Sequence, residues 1–197
     1  MEGLALILIA GALFAHSWSF LGFYSDGRTV GAFVAGLGLA ALLTLVMEPM
    51  VLIGDNLELM AELGGDARDA NPLAELTLMK MLIITWAAYA VGVGAAGIWD
   101  YEERAIGLYS AFLAVGTAVA FLFFAITLAP PYGEAVWIAM SAATLILSVL
   151  AGLVFFYLTV PFNVLRLVAG WFLLLGSLVV ALIGRAIITT IIEVTKF

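Results

Sequence analysis

Long apolar runs alternate with short polar breaks along the whole chain. Because the hydrocarbon core of a bilayer is about 30 Å thick, a helix needs about 20 apolar residues to cross it. The runs that meet this requirement lie at 3–23, 30–53, 76–98, 105–129, 135–159 and 162–190. They are too long and too continuously apolar for the alternating strands of a membrane β-barrel. The pattern therefore predicts an all-α, polytopic membrane protein, in which residues 1–197 form a single six-transmembrane-helix bundle.

The breaks between the runs carry residues that are typical of turns. Three short breaks read "YSDGRT" at 24–29, "WDYEER" at 99–104 and "APPYGE" at 129–134, and Pro161 marks a fourth. The break at 54–75 is long and acidic, and the spacing of its apolar residues allows a short amphipathic helix. Lysines and arginines lie on both predicted sides of the membrane, so they leave the orientation open.

Composition agrees with a membrane location. Hydrophobic residues make up 65% of the chain and charged residues 11%, and the mean hydropathy is +1.22. Soluble domains carry about 25% charged residues, so this chain has too little polar surface to cover a soluble globule. The first run lacks the positively charged start of a signal peptide, and we interpret it as a retained first helix. The net charge of −7 offers no basic surface for nucleic acid.

Residues that serve in catalysis or metal binding are sparse. The chain has one histidine and no cysteine, and its apolar runs hold no clustered carboxylates. The usual metal-ligand spacings and nucleophile–base pairs are therefore missing from the sequence. It also lacks a GxxxxGK[ST] loop for nucleotides and a row of acids or histidines that could relay protons. We therefore predict neither an enzyme nor a bound cofactor or metal, which leaves passive permeation or a scaffolding role.

The apolar runs hold few ionisable residues, among them His16, Glu48 and Lys80. Such groups are unfavourable in lipid and are candidates for function. Glu48 and Lys80 lie near the ends of their runs, so the preferred interpretation is that they extend to the membrane surface. His16 lies deeper, and two interpretations stay open: its side chain faces a pore, or it forms a hydrogen bond between helices.

Aromatic and small residues provide further candidates. Trp86 and Tyr89 are three positions apart and therefore share a helix face. Tyr109, Phe112 and Gly116 follow the spacing i, i+3 and i+7, which places them on one stripe of the fourth helix. If this helix serves a pore, this stripe is the one expected to face it, although small residues in membrane helices also serve simply to pack helices closely.

Three patches of the chain are similar to a known membrane-protein family. They read "GLALILIAGALFAHS", "DGRTVGAFVAGLGL" and "WDYEERAIGLYSAFLAVGTAVAF". In the third patch, the residues that match the family pattern are Asp100, Tyr109, Ser110, Phe112, Ala114 and Thr117. On these patches, the chain resembles the AmiS/UreI family of six-helix channels for urea and short-chain amides. The long break after the second run and the proline before the sixth are similar to that family as well.

The resemblance implies a passive, multi-pass channel of the inner or plasma membrane whose solute is urea or a short-chain amide. It also implies a ring-shaped homohexamer with one pore in each protomer, and places both termini and the acidic break outside. A small neutral solute needs a slender, mostly apolar path with a few hydrogen-bonding groups. The residues expected to line that path are Leu6, Leu13, His16, Trp86, Tyr89, Tyr109, Phe112 and Gly116.

A second hypothesis is a non-transporting integral-membrane subunit or scaffold of a larger complex. The family often carries an acid in its sixth helix and tryptophans in its fifth. This chain reads "GWFLLLGSL" in the sixth run, and "IAMSAATLILSVLAGLVFF" after Trp137 in the fifth. These departures favour the second hypothesis.

Overall fold

The computed structural model describes residues 2–23, 26–55, 71–127, 134–159 and 163–194. Its helices are α1 (Glu2–Leu21), α2 (Gly27–Asp55), α3 (Asn71–Trp99), α4 (Glu103–Thr127), α5 (Glu134–Thr159) and α6 (Asn163–Val194). These described residues contain no strand. Each helix includes a stretch that is long and apolar enough to cross a membrane. The predicted fold class is therefore confirmed, and the chain is an all-α, multi-pass membrane protein. The amphipathic helix predicted within 54–75 falls largely outside the described residues.

The six helices form a closed ring in chain order. Each helix packs against the next, and α6 packs along α1 to complete the ring. Helix α1 also contacts α3 across the ring, and these two helices contain the most buried of the six spans. The hydrophobic core therefore lies along α1 and α3, where Ile9, Ile83 and Trp86 are among the largest fully buried side chains.

Glycines bring neighbouring helices into backbone contact. A Cβ atom at Gly94 of α3 would lie 2.5 Å from the Gly31 carbonyl oxygen and 2.5 Å from the Ala35 Cβ, both in α2. A Cβ atom at Gly3 of α1 would lie 2.6 Å from the carbonyl oxygen of Gly184 in α6. Apolar surface does not drive helix association in lipid, so close packing of small residues supplies much of the attraction. Helix packing therefore accounts for Gly31 and Gly94 in the glycine-rich stretches of α2 and α3.

The end of α1 is closed by a glycine turn and by an arginine from α6. Gly22 has a φ of +68°, a conformation that glycine adopts without strain. The Phe23 amide donates a hydrogen bond to the Trp18 carbonyl at 3.2 Å, which completes a Schellman motif. The Arg166 guanidinium donates to two carbonyls in the last turn of α1, and the shorter bond runs from Nε to Phe20 at 2.8 Å. Arg166 therefore ties α6 to α1.

Replacing Arg166 with methionine is expected to lower the free energy of unfolding by about 1 kcal/mol. The variant keeps an apolar side chain but loses two hydrogen bonds to carbonyls that have no partner within α1. The effect is modest because the guanidinium is partly exposed to solvent. Thermal unfolding in detergent measures this effect as a lower midpoint. Arg104→Met is the control, because Arg104 is exposed and pairs only loosely with Glu102 at 3.7 Å. Equal midpoints for the two variants would contradict the capping role.

Candidate functional site

Facing stripes of α1 and α3 meet at the centre of the bundle. Residues of both stripes recur every three or four positions, which places each stripe on one helix face. Both helices are antiparallel to α2, so they run in the same direction and the stripes lie in register, with His16 beside Tyr89. We refer to the two stripes as the α1–α3 seam, which consists of Leu6, Ile9, Leu13, His16, Met79, Ile83, Trp86 and Tyr89.

Two hydrogen bonds between helices interrupt the apolar seam. The Tyr89 hydroxyl lies 3.2 Å from Nδ1 of His16. One turn earlier on α3, Nε1 of Trp86 donates to Oγ1 of Thr117 in α4 at 3.1 Å, and the Thr117 hydroxyl donates in turn to the Leu113 carbonyl at 2.6 Å. All four polar side chains are buried. Since a buried polar group without a partner is strongly unfavourable, these bonds explain how the side chains are accommodated.

His16 keeps one ring nitrogen for a further partner. The side chain is 8% exposed, and its ring packs edge-on against Phe20 at a centroid distance of 4.7 Å. In the part of the chain that the structure describes, the only hydrogen bond of the imidazole joins Nδ1 to Tyr89. The second ring nitrogen acts as a donor in one tautomer and as an acceptor in the other. It is therefore available to a polar group of a bound molecule.

Two small spaces follow one another along the seam. The first lies near the middle of the bundle, is too small for a water molecule, and is lined by Ile9, Ala12, Leu13, His16, Val34, Trp86, Tyr89 and Ala90. The second lies toward the N-terminal ends of α1 and α3 and has room for about one water molecule. It is lined by Leu6, Ile9, Met79, Leu82, Ile83, Trp86, Met140, Ala143, Thr144 and Leu147. Of the residues that the structure describes, only Ile9 and Trp86 border both spaces.

Five of the residues expected to line a path come together in the seam. They are Leu6, Leu13, His16, Trp86 and Tyr89, and all five are buried. Sequence reasoning missed Ile9 of the same stripe, although its spacing from Leu6 and Leu13 places it on their face.

The stripe of Tyr109, Phe112 and Gly116 faces outward. Phe112 is 63% exposed, and nothing lies within 4 Å of the position that a Gly116 Cβ would take. Tyr109 is half-buried, and its hydroxyl donates to the Thr85 carbonyl at 3.1 Å. The inward face of α4 is instead a different, buried stripe, which consists of Ser110, Leu113, Thr117, Ala120 and Phe124. The structure therefore does not bring Phe112 and Gly116 together with His16, and within one protomer they can line only an outer surface.

The other two ionisable candidates of the sequence are Lys80 and Glu48. Lys80 is half-buried near the start of the third span. Glu48 belongs to α2, but its side chain lies outside the described residues. Within the described ranges, no group of three or more histidine, aspartate or glutamate side chains could hold a metal ion. Among the described residues, the seam is where buried polar side chains border small spaces between the helices.

No protein-family model, curated protein or solved structure matches this chain. The resemblance to the AmiS/UreI family stays a prediction from the sequence patches alone.

Proposed function

We propose that this protein is a passive membrane channel for urea or a short-chain amide, and that the solute moves along the α1–α3 seam. The observation that supports this function is the pair of His16 and Tyr89 beside a small space in an otherwise apolar wall. An amide carries N–H donors and a carbonyl acceptor. A hydroxyl and a ring nitrogen can form transient hydrogen bonds with these groups. Apolar walls oppose ions, because an ion that enters loses its hydration without compensation.

Conduction along the seam requires movement, because neither space is large enough for an amide. The contact between α1 and α3 is less extensive than the glycine-mediated contact between α2 and α3. Separation of α1 from α3 therefore breaks fewer contacts than separation of α2 from α3. Collective helix shifts of this kind occur on the microsecond to millisecond timescale.

The family resemblance extends the proposal to a homohexamer in the inner or plasma membrane, with one path inside each protomer. In that assembly the outward stripe with Phe112 and Gly116 meets lipid or a neighbouring protomer. The seam stays within a single chain, so each protomer is expected to conduct on its own.

The packed centre of the bundle favours a second candidate, a non-transporting subunit or scaffold of a membrane complex. Ile9 and Trp86 fill the middle of the seam almost completely. In this case, the hydrogen bonds of His16 and Trp86 serve only to fix the positions of α1, α3 and α4.

Flux measurements on proteoliposomes separate these candidates. Wild-type protein is expected to pass urea or acetamide down a gradient without ion current, and His16→Leu is expected to reduce this flux roughly threefold to tenfold through the loss of one hydrogen-bonding contact. Phe112→Leu should leave the flux unchanged because Phe112 lies outside the seam. Reduced flux in Phe112→Leu together with unchanged flux in His16→Leu would place the path on the outer stripe. Flux no greater than that of empty liposomes would favour the subunit.

A further inference from the structure

Trp86 occupies the position where the two spaces of the seam would join. One space lies on the side of Leu6 and Met79, and the other on the side of His16 and Tyr89. The Trp86 side chain is 2% exposed and packs edge-on against Tyr89 at a centroid distance of 5.6 Å. Its indole ring and the aliphatic side chain of Ile9 therefore separate the spaces.

A hydrogen bond from outside the seam holds the indole in place. Nε1 is the only hydrogen-bonding group of a tryptophan side chain, and here it donates to Oγ1 of Thr117. The Thr117 hydroxyl directs its own proton to the Leu113 carbonyl one turn earlier on α4. Its oxygen is thereby left to accept from the indole, so α4 presents a fixed acceptor to a ring that belongs to α3.

We propose that Trp86 is the gate of the path. While it is bonded to Thr117, the indole keeps the two spaces apart, and when the bond breaks and the ring turns aside, the spaces join into one passage. This inference rests on the proposed channel function. The Ile9 side chain on the opposite wall has no polar atom and hence no bond that could hold it in one position.

Two substitutions remove the same bond from opposite sides. Trp86→Phe removes the N–H group and keeps an aromatic ring, whereas Thr117→Val removes the acceptor and keeps the shape. Each variant is expected to raise the permeability for acetamide or urea roughly fivefold. This factor is the increase in the population of the open state that follows from the loss of one neutral hydrogen bond. The double variant is expected to show no further rise, because the bond is already lost in each single variant.

Ser110→Ala is the matched control for Thr117→Val. Ser110 is also a buried hydroxyl residue of α4, but among the described residues it bonds only to the Gly107 carbonyl of its own helix, at 2.7 Å. Its replacement should leave the permeability unchanged. Additive rises in the double variant, or wild-type permeability in both single variants, would overturn the gate while leaving the channel function intact.

A thiol reaction tests the gate without transport. The chain has no cysteine, so Ala12→Cys reports on the first space and Ala143→Cys on the second. A small methanethiosulfonate reagent is expected to modify each thiol roughly fivefold faster in the Thr117→Val background. Faster reaction without solute flux in any variant would show that Trp86 separates the two spaces, but it would overturn the channel and with it the gate. Absence of both flux and faster reaction would overturn both.

Discussion

Gly94→Ala is expected to lower the free energy of unfolding by about 2–3 kcal/mol, because the added methyl group has no room. Its nearest neighbours would be the Gly31 carbonyl oxygen and the Ala35 Cβ, both at 2.5 Å. These atoms are backbone or fixed to the backbone and cannot rotate away. Helices α2 and α3 would therefore have to separate along their glycine-mediated contact. Thermal unfolding in detergent, together with the yield of folded protein, measures the loss.

Gly92→Ala is the control on the same helix. Gly92 is exposed, and nothing lies within 4 Å of the position of an added Cβ. Because alanine favours the helix over glycine by up to about 1 kcal/mol, this variant is expected to be neutral or slightly more stable. Gly116→Leu, with open space at its Cβ position, should likewise leave the protomer folded. Similar losses for Gly92→Ala and Gly94→Ala would refute the proposed contact.

Tyr89→Phe is expected to lower the free energy of unfolding by about 1–2 kcal/mol. The substitution removes the hydroxyl that lies 3.2 Å from Nδ1 of His16, and it leaves the buried imidazole with no partner for either nitrogen among the described residues. The double variant His16→Leu/Tyr89→Phe removes both polar groups and is expected to be more stable than Tyr89→Phe alone. The same unfolding experiment measures both variants.

Tyr101→Phe serves as the control for this pair, because Tyr101 is exposed near the start of α4. Loss of the Tyr101 hydroxyl should leave the unfolding midpoint unchanged. If the effects of His16→Leu and Tyr89→Phe simply add, the two side chains do not interact, and the hydrogen bond contributes nothing to stability.

The spans could be predicted from the sequence because each is a continuous apolar run between turn residues. The predicted spans and the observed helices differ only at their ends. Helix α1 ends at Leu21 because Gly22 takes a positive φ, and α2 extends into the acidic break as far as Asp55. Helix α6 continues to Val194, beyond the apolar run that predicted it. Local turn geometry, which apolar length does not report, decides the end of α1.

The inward face of a membrane helix is harder to predict than the helix itself. In water, polar residues mark the outer face, but in lipid both faces are apolar and this signal is weak. On α4, the stripe of Phe112 and Gly116 and the stripe of Leu113 and Thr117 have equally good helical spacing. The second stripe lies inside, where the Thr117 hydroxyl accepts from Trp86.

Prediction was more successful on α1 and α3 for the same physical reason. His16, Trp86 and Tyr89 carry polar atoms that need partners, and the interior of the bundle supplies them. Ile9 carries no such atom, so only its helical spacing from Leu6 and Leu13 places it on the inward face.

The pairing of α1 with α6 determines when the protein can finish assembling in the membrane. Helix α1 is synthesised before α6, with four helices between them, yet Gly3 packs on Gly184 and the last turn of α1 is capped by Arg166. Until α6 enters the bilayer, Gly3 of α1 cannot pack on Gly184. The last carbonyls of α1 likewise receive no hydrogen bond from the Arg166 guanidinium. Ring closure therefore has to follow the insertion of α6. A chain interrupted before α6 would display an unfinished α1 surface to the proteases that survey new membrane proteins.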